Sequence, residues 1–300
     1  AGAVTLAVEH APQGREGHYS SLPQIGSPIG NVLGSMAFLA VGLLPMESFD
    51  AWGWRIPFLA AFPLMLVTLW LRSQVEESPT FKKLEAQGST QKVPALRVFR
   101  ESLDGILAGA ALSFVTIGGF FLVTTFSISY GTGTVGLSAN TMLIATLLAS
   151  LGQVTTVIVS GLLVDKGIPA VRIALTGLVL MMVVAVPAIY LLSSGSALLA
   201  ILAIFVLVQP IAMTHGMLGM LLPGLFDAEL RYSGVAISYN LSGMVGGFMP
   251  MLATYLLLRF DSEAWPIAAL LMVIATISLV GGVWVRVLRR RRESRRRRLP

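Results

Sequence analysis

No charged residue occurs between Gly105 and Phe126, and this uncharged stretch constrains the chain more than any other feature of its sequence. A helix needs about 20 mostly apolar residues to cross about 30 Å of hydrocarbon. Inside a bilayer no water can satisfy the backbone amides, so a spanning segment of this kind must be helical. The stretch therefore predicts a transmembrane helix.

Similar apolar stretches recur on both sides of this one, separated mostly by short polar gaps. Hydrophobic residues make up 55% and charged residues 12% of the sequence, whereas a soluble domain has about 25% charged residues. We expect an all-α polytopic membrane protein with eight full transmembrane helices plus the end of a ninth, which is the short apolar piece Ala1–Val8. The eight predicted spans are about Tyr19–Leu44, Trp54–Leu71, Ser102–Ile128, Ala139–Val164, Ile173–Leu192, Ala197–Leu222, Val235–Leu258 and Pro266–Val287.

Basic residues are distributed unevenly between the two sets of loops, and this predicts the orientation. One set holds Arg15, the polar segment 72–101, Arg172, Arg231 and a tail with nine arginines between Arg286 and Arg298. Cytoplasmic loops carry the excess of Lys and Arg. We therefore expect a multi-pass protein of the inner (plasma) membrane with a cytoplasmic C-terminus, whose tail attracts anionic lipids.

Two of the predicted spans look like copies of each other. Each has small residues at every fourth position, an amide side chain in its first half (Gln24 or Asn240), and a proline that would bend it (Pro28 or Pro250). This spacing suggests a repeated unit, as in transporters built from paired halves. The alternative is simple tight packing, because small residues four apart are common where membrane helices touch. The glycines expected to pack are Gly26, Gly30, Gly34, Gly234 and Gly246.

Several strings of residues closely resemble the metabolite:proton symporter family of the major facilitator superfamily. The most specific are a Trp-Gly-Trp-Arg-Ile-Pro-Phe string from Trp52 and a Glu-Glu-Ser-Pro string from Glu76, and a weak form of a Gly-x-x-x-Asp motif joins Gly161 to Asp165. Others are Glu9-His10-Ala11-Pro12, Leu71-Arg72, Arg231-Tyr232-Ser233-Gly234 and Tyr239-Asn240-Leu241.

The resemblance implies twelve helices, of which the first three and most of the fourth are absent from this chain. Residues 1–71 would be the remainder of an N-terminal six-helix bundle (the end of helix 4, and helices 5 and 6), and 72–101 a cytoplasmic linker. Residues 102–287 would form the C-terminal six-helix bundle (helices 7–12), followed by a basic cytoplasmic tail, 288–300. One departure from the family pattern is Asp227, where the family usually has proline.

The resemblance also implies proton-coupled symport of a small polar metabolite by alternating access. We expect an organic acid as substrate, and osmolyte (proline or betaine) uptake is the alternative. The long C-terminal coiled coil of the osmosensory members is missing, which favours the organic acid. An exporter of the same superfamily stays open, because the residues do not fix the direction of transport, and a non-transporting receptor is a remote alternative.

Polar groups at membrane depth are costly and indicate function or interhelical bonding. His215 is the ionisable side chain well inside the last six spans and can change charge near neutral pH; the alternative is a neutral histidine bonded to a neighbouring helix. The candidates for the substrate and proton pathway are Gln24, Gln209, His215, Tyr239 and Asn240. The candidates for the cytoplasmic gate are Glu9, His10, Arg15, Asp165, Lys166 and Arg231.

Other classes of protein are disfavoured by the sequence. There is no cysteine, so a thiolate metal site or cysteine nucleophile is excluded. No intramembrane cluster of His, Asp and Glu suggests a metal site or an enzyme. The basic residues gather in one tail, whereas a soluble nucleic-acid-binding domain would carry them over a folded face. We expect no cofactor other than the proton gradient, no nucleic acid and no obligate protein partner.

Overall fold

The computed structural model describes residue 7 and residues 11–74, 94–227 and 229–296. Within these residues, eight helices are long and apolar enough to cross a membrane. The prediction of an all-helical polytopic membrane protein is thus confirmed. The spans are α1 (Glu16–Val41), α2 (Gly53–Leu71), α3 (Leu103–Gly133), α4 (Ala139–Asp165), α5 (Ala170–Leu192), α6 (Ala197–Leu221), α7 (Arg231–Arg259) and α8 (Trp265–Arg292).

Short helices and helix extensions complete the described part of the chain. Met46–Ala51 lies between α1 and α2, and Pro94–Glu101 precedes α3. The α2 helix extends to Gln74, and the α8 helix extends to Arg296. The predicted linker, residues 72–101, falls largely outside the described residues.

Local sequence explains the sharp connections from α3 to α4 and from α5 to α6. Ser138 and Ser196 begin α4 and α6 as N-caps, and their hydroxyls accept the amides of Thr141 and Leu199. Such a cap satisfies one of the amides that a helix start leaves without a partner. Gly195, after α5, has a φ of +77°, in the left-handed region that glycine adopts without strain. These features permit tight antiparallel turns at the membrane surfaces.

The core of the bundle lies in α3 to α8. The α6 helix packs along both α4 and α5, α3 packs between α7 and α8, and α5 also contacts α8. Side chains such as Ile204, Leu207 and Ile211 on α6 are completely buried. The α1 helix joins this bundle by packing along α4, whereas α2 contacts mainly α1. Many large apolar side chains elsewhere are exposed, including Leu59 on α2, as expected of helices that face lipid.

Two helices, α3 and α7, depart from regular geometry. The α3 helix widens into π-helical turns at Val115–Gly119 and Leu122–Phe126. The amide of Val115 donates to the hydroxyl of Ser278 on α8, with a separation of 2.9 Å. The α7 helix breaks between Gly246 and Met249, and Pro250 lies in the first turn of its second segment. Proline tolerates that position because first-turn amides have no partner within the helix.

The two stripes of small residues behave differently. On α7, Ser238 is completely buried, and a Cβ added at Gly246 would lie 2.8 Å from the backbone nitrogen of Gly118 on α3. A Cβ added at Gly234 would meet the ring of Phe226, so this stripe lies in close contact with its neighbours.

The α1 stripe meets no close neighbour within the described part of the chain, so its role in packing stays a prediction. A Cβ at Gly26, Gly30 or Gly34 would meet no atom within 4 Å. The spacing shows that a helix face can be approached closely, but it does not specify which element approaches it.

We predict that Gly246→Ala destabilises the bundle by about 1–3 kcal/mol, because the added methyl would force α7 away from the α3 backbone. The matched control is Gly243→Ala on the same helix, where an added Cβ would meet only Ile117 Cδ1 at 3.9 Å. Thermal unfolding in mild detergent should show a lower midpoint for the first variant and an unchanged or slightly higher one for the second. Equal midpoints for the two variants would contradict the close contact.

Candidate functional site

Gln24 on α1 and His215 on α6 form a reciprocal pair across the bundle. The side-chain amide of Gln24 donates to the carbonyl of His215 at 2.9 Å. In return, Nε2 of His215 lies 3.3 Å from the backbone carbonyl of Gln24. A carbonyl oxygen can only accept, so Nε2 carries the hydrogen and Nδ1 is the nitrogen left to take a further proton. His215 is buried, with 7% of its surface exposed.

The sequence of α1 explains why the Gln24 carbonyl is free to accept this bond. In a regular helix the carbonyl of residue 24 would accept from the amide of residue 28, but residue 28 is proline and has no N–H. The chain also winds as a 3-10 helix over Leu22–Ile25 before the regular helix Gly26–Val41 begins. A backbone acceptor at membrane depth must find another donor. His215 supplies it from α6.

Asp165, at the end of α4, caps the beginning of α1. Its two carboxylate oxygens accept the backbone amides of Gly17 at 2.8 Å and of His18 at 3.1 Å. A carboxylate at a helix N-terminus is favoured by the unpaired amides and by the helix dipole. The negative charge of α4 thus binds directly to the first turn of α1.

Glycines allow this contact to form. A Cβ at Gly17 would lie 2.5 Å from the carbonyl of Gly161, and a Cβ at Gly161 would lie 2.6 Å from the hydroxyl of Ser21. Only glycine at both positions lets the backbones of α1 and α4 approach so closely. The four-residue spacing of Gly161 and Asp165 therefore has a physical meaning: the glycine brings the helices together, and the aspartate, one turn later, reaches the first amides of α1.

Three of the other predicted gate residues are described by the structure. Lys166 follows Asp165 and is exposed, Arg15 precedes α1 and is exposed, and Arg231 begins α7. Glu9 and His10 fall outside the described residues, so the predicted contact of this pair with Arg15 or Arg231 stays a prediction.

Gln209 makes a different contact from the one at Gln24. Its side-chain oxygen accepts from the hydroxyl of Thr156 on α4 at 2.7 Å, and its nitrogen donates to the carbonyl of Phe205 at 2.9 Å. The carbonyl of Pro210, next to it, accepts from Thr214 on the same helix. This arrangement fits an interhelical hydrogen bond between α4 and α6. Such bonding is the alternative to a functional role for a polar group at membrane depth.

Tyr239 and Asn240 lie on α7, and the structure does not bring them to the Gln24–His215 pair. Asn240 is exposed, and its side-chain nitrogen donates to the carbonyl of Ala236 on its own helix at 2.9 Å. That Gln24 and Asn240 line a central cavity from opposite halves stays a prediction, and the structure shows no hydrogen bond between these two described side chains. An amide at matching positions of two similar helices does not fix the rotation of each helix about its axis.

Sequence reasoning missed some polar residues of the bundle. Gln153 on α4 is buried, and its side-chain oxygen has no hydrogen-bond partner among the described residues. The amide of His18, which Asp165 caps, was also not identified. A signal for Gln153 was available, since it is an amide in the middle of an apolar span. A signal for the Gln24 carbonyl was available too, in the proline four residues later.

The end of the bundle that holds Asp165 also carries the ion pairs between described side chains. Arg97 lies 2.7 Å from Glu101 and 3.1 Å from Glu229, and Arg292 lies 3.1 Å from Asp227. The hydrogen bond with Glu101 raises the pKa of Arg97. Pairs as exposed as these contribute little stability because solvent screens them. They do place the helix Pro94–Glu101, the loop before α7 and the end of α8 at one membrane surface.

Known proteins similar to this chain carry names of transporters. An inner membrane metabolite transport protein of Escherichia coli K12, YhjE, is 31% identical over 266 residues, which cover 85% of this chain and 59% of the relative. The proline/betaine transporter of the same organism is 30% identical over 293 residues, covering 94% of this chain and 58% of the relative. The chain thus spans less than two thirds of the length of these relatives.

The fold also matches solved structures. The proton:xylose symporter XylE, bound to 6-bromo-6-deoxy-D-glucose, superposes with a TM-score of 0.70 over 93% of this chain and 65% of that one. The sequence identity of 16% limits this match to the fold. A sequence profile of the Major Facilitator Superfamily covers residues 1–249, which confirms the resemblance seen in the sequence motifs. The chain belongs to the Major Facilitator Superfamily.

Proposed function

We propose that the chain is part of a proton-coupled symporter that moves a small polar metabolite by alternating access. The observation that carries the proposal is the reciprocal bonding of Gln24 and His215, because it places a titratable side chain in the contact between two helical units. In this proposal residues 1–71 belong to one half and 102–287 to the other, joined by a cytoplasmic linker, 72–101. The two halves rock about a shared site.

The packing of α1 along α4 supports rocking as the motion. At one end Gly17 touches Asp165. Further along, the hydroxyls of Ser35 and Thr146 lie 3.4 Å apart, and a Cβ at Gly42 would lie 3.5 Å from the side chain of Asn140. The contact is a seam of small and polar residues, with no ion pair between described side chains to hold it shut. Opening either end costs a few hydrogen bonds, as transporters with paired halves require.

His215 is suited to link this motion to a proton. Protonating Nδ1 would place a charge on a buried imidazole, which is costly unless the group gains water or a negative partner. Parting α1 from α6 would supply that water. Protonation is therefore expected to favour the arrangement in which the Gln24–His215 pair is broken. An anionic substrate that bound the imidazolium would have a similar effect.

We predict that His215→Ala lowers gradient-driven uptake by the full-length transporter by about tenfold or more, since the variant loses both the proton acceptor and one bond of the pair. Uptake would be measured in vesicles with an imposed proton gradient, at matched protein levels. A protonophore should stop uptake by the unaltered protein. The residual uptake by His215→Ala should depend weakly on pH.

The control for that experiment is Gln209→Ala, which removes a bond within one half and should retain pH-dependent uptake. Asn240→Ala tests a second pathway candidate, which lies in the same half as His215. If His215→Ala and Asn240→Ala both transport normally, the proposed pathway residues are wrong. If the protonophore has no effect on the unaltered protein, proton coupling itself is wrong.

Asp165 is proposed to act as a latch between the halves. Its bonds to the amides of Gly17 and His18 hold one end of the α1–α4 contact, and they must break when that end opens. The charge of the carboxylate strengthens both bonds. Weakening the latch should therefore shift the population toward the state that is open at this end.

We predict that Asp165→Asn makes this end open more often. The chain lacks cysteine. A single Ser20→Cys can therefore report opening through its rate of thiol labelling, because Ser20 is completely buried and its hydroxyl donates to the carbonyl of Gly17. Losing about 1 kcal/mol of capping should raise that rate about fivefold. The control is Lys166→Gln, the exposed neighbour, which should leave labelling unchanged. Equal labelling in Asp165→Asn and the parent would refute the latch.

Two substrate classes remain in competition. We favour an organic acid, because a protonated His215 and the arginines near α1 and α7 suit an anion. Uptake of proline or betaine is the second candidate, favoured by the relative that is named a proline/betaine transporter and aligns over 94% of this chain. Adding unlabelled organic acids, proline and betaine in turn as competitors to the uptake assay separates the two classes.

The surface that carries Arg97, Asp165 and Arg292 is proposed to face the cytoplasm, because its loops hold the excess of basic residues. The arginine tail, 288–300, would then lie against the anionic inner leaflet. We predict that a reporter fused after Pro300 is active if it requires the cytoplasm. Activity of a reporter that works only in the periplasm would reverse the orientation.

A further inference from the structure

A cavity of about 620 Å³ opens between the start of α5 and the end of α8, at the arginine-rich membrane surface. Four arginines line it, Arg172 from α5 and Arg286, Arg289 and Arg290 from α8, and its lining contains no acidic residue. The volume is in the range of about 300–1,000 Å³ that is common for small-molecule sites. It lies apart from the Gln24–His215 pair, which joins α1 to α6.

The helices themselves bring these cations together. Arg289 and Arg290 follow Arg286 by three and four positions, so they lie on the same face of α8 as Arg286. Arg172 lies in the first turn of α5, beside the amides that a helix start leaves without partners. The dipole of α5 favours an anion at that same end. Arg172 and Arg286 lie outside the tail 288–300, so attraction of the tail to a membrane does not account for their placement.

Apart from Thr176, the rest of the lining is apolar. The walls are formed by apolar side chains, namely Val164, Val171, Leu175, Val179 and Met220. Val179 is half exposed. Val179 is farther from the start of α5 than Arg172 by seven residues, about 10 Å along the helix. One end of the cavity thus offers guanidinium groups to an anion, and the other offers a hydrocarbon wall that runs into the membrane. A free phosphate or other small anion would use only the first part, whereas an anionic phospholipid would use both.

We propose that this cavity is a binding site for one anionic phospholipid, with the headgroup phosphate on Arg172, Arg286, Arg289 and Arg290 and an acyl chain along Val171, Leu175 and Val179. Arginine suits the phosphate because its planar fork donates paired hydrogen bonds. Basic pockets between helices at the cytoplasmic surface are known to take lipid headgroups. The site joins α5 to α8, and its occupancy does not depend on whether the protein transports anything.

The test is a lipid titration of the detergent-purified protein by native mass spectrometry, with phosphatidylglycerol as the anionic probe and phosphatidylcholine as the neutral one. We expect one phosphatidylglycerol to bind tightly and phosphatidylcholine to bind at least tenfold more weakly. Arg172→Gln with Arg286→Gln should raise the Kd for phosphatidylglycerol about 30-fold, equivalent to about 2 kcal/mol. The matched control, Arg100→Gln with Arg291→Gln, removes the same charge from exposed positions of the same surface outside the cavity and should change the Kd less than threefold.

A second variant tests the apolar wall without altering charge. Val179→Trp should fill the acyl part of the cavity and weaken phosphatidylglycerol binding, and millimolar inorganic phosphate should compete poorly with the lipid. Thermal midpoints without lipid confirm that each variant is folded. If the two double variants weakened phosphatidylglycerol binding equally, the lipid would be attracted by the overall positive charge of this surface. That result would overturn the site. Full competition by inorganic phosphate, together with unchanged binding in Val179→Trp, would mean a simple anion site and also overturn it.

Discussion

Backbone hydrogen bonding in the absence of water is the constraint on which this structure depends. It makes every spanning segment helical, and it also determines what happens where a helix is interrupted. Pro28 leaves the Gln24 carbonyl without its usual donor, and His215 takes that place from α6. At the start of the widened turn in α3, the Val115 amide donates to the hydroxyl of Ser278 on α8. Polar contacts between helices thus arise where the backbone needs a partner.

Glycine sets how closely the helices approach, and the approach determines which polar groups can meet. Asp165 reaches the first amides of α1 because Gly17 and Gly161 let the two backbones touch. On α7, Gly246 plays the same part against α3. The proposed Asp165 latch and the Gln24–His215 pair both lie where α1 contacts its neighbours. Transport in this proposal therefore requires a contact between the helices that consists of small residues and few hydrogen bonds.

The sequence identified several site residues singly but not the partners that the structure gives them. His215 was recognised because an ionisable group at membrane depth needs a reason, and Asp165 because of its motif. Their partners, Gln24 and the amides of Gly17 and His18, lie 191, 148 and 147 residues away in the chain. Asn240, the amide at the matching position of α7, is exposed and bonds to its own helix rather than to Gln24. Helix rotation depends on side-chain packing around the whole circumference, which no single spacing in the sequence specifies.

The sequence by itself determined the number of spans, their approximate ends and the superfamily, because hydrocarbon thickness fixes helix length and uncharged stretches are visible one residue at a time. Only the tertiary structure decided which helix lies against which. It put Gln24 against His215, left Gly26, Gly30 and Gly34 open, and gathered Arg172 with arginines more than a hundred residues later around one cavity. In lipid most helix faces are similarly apolar, so the choice of neighbours rests on close packing and a few hydrogen bonds that exist only in the assembled bundle.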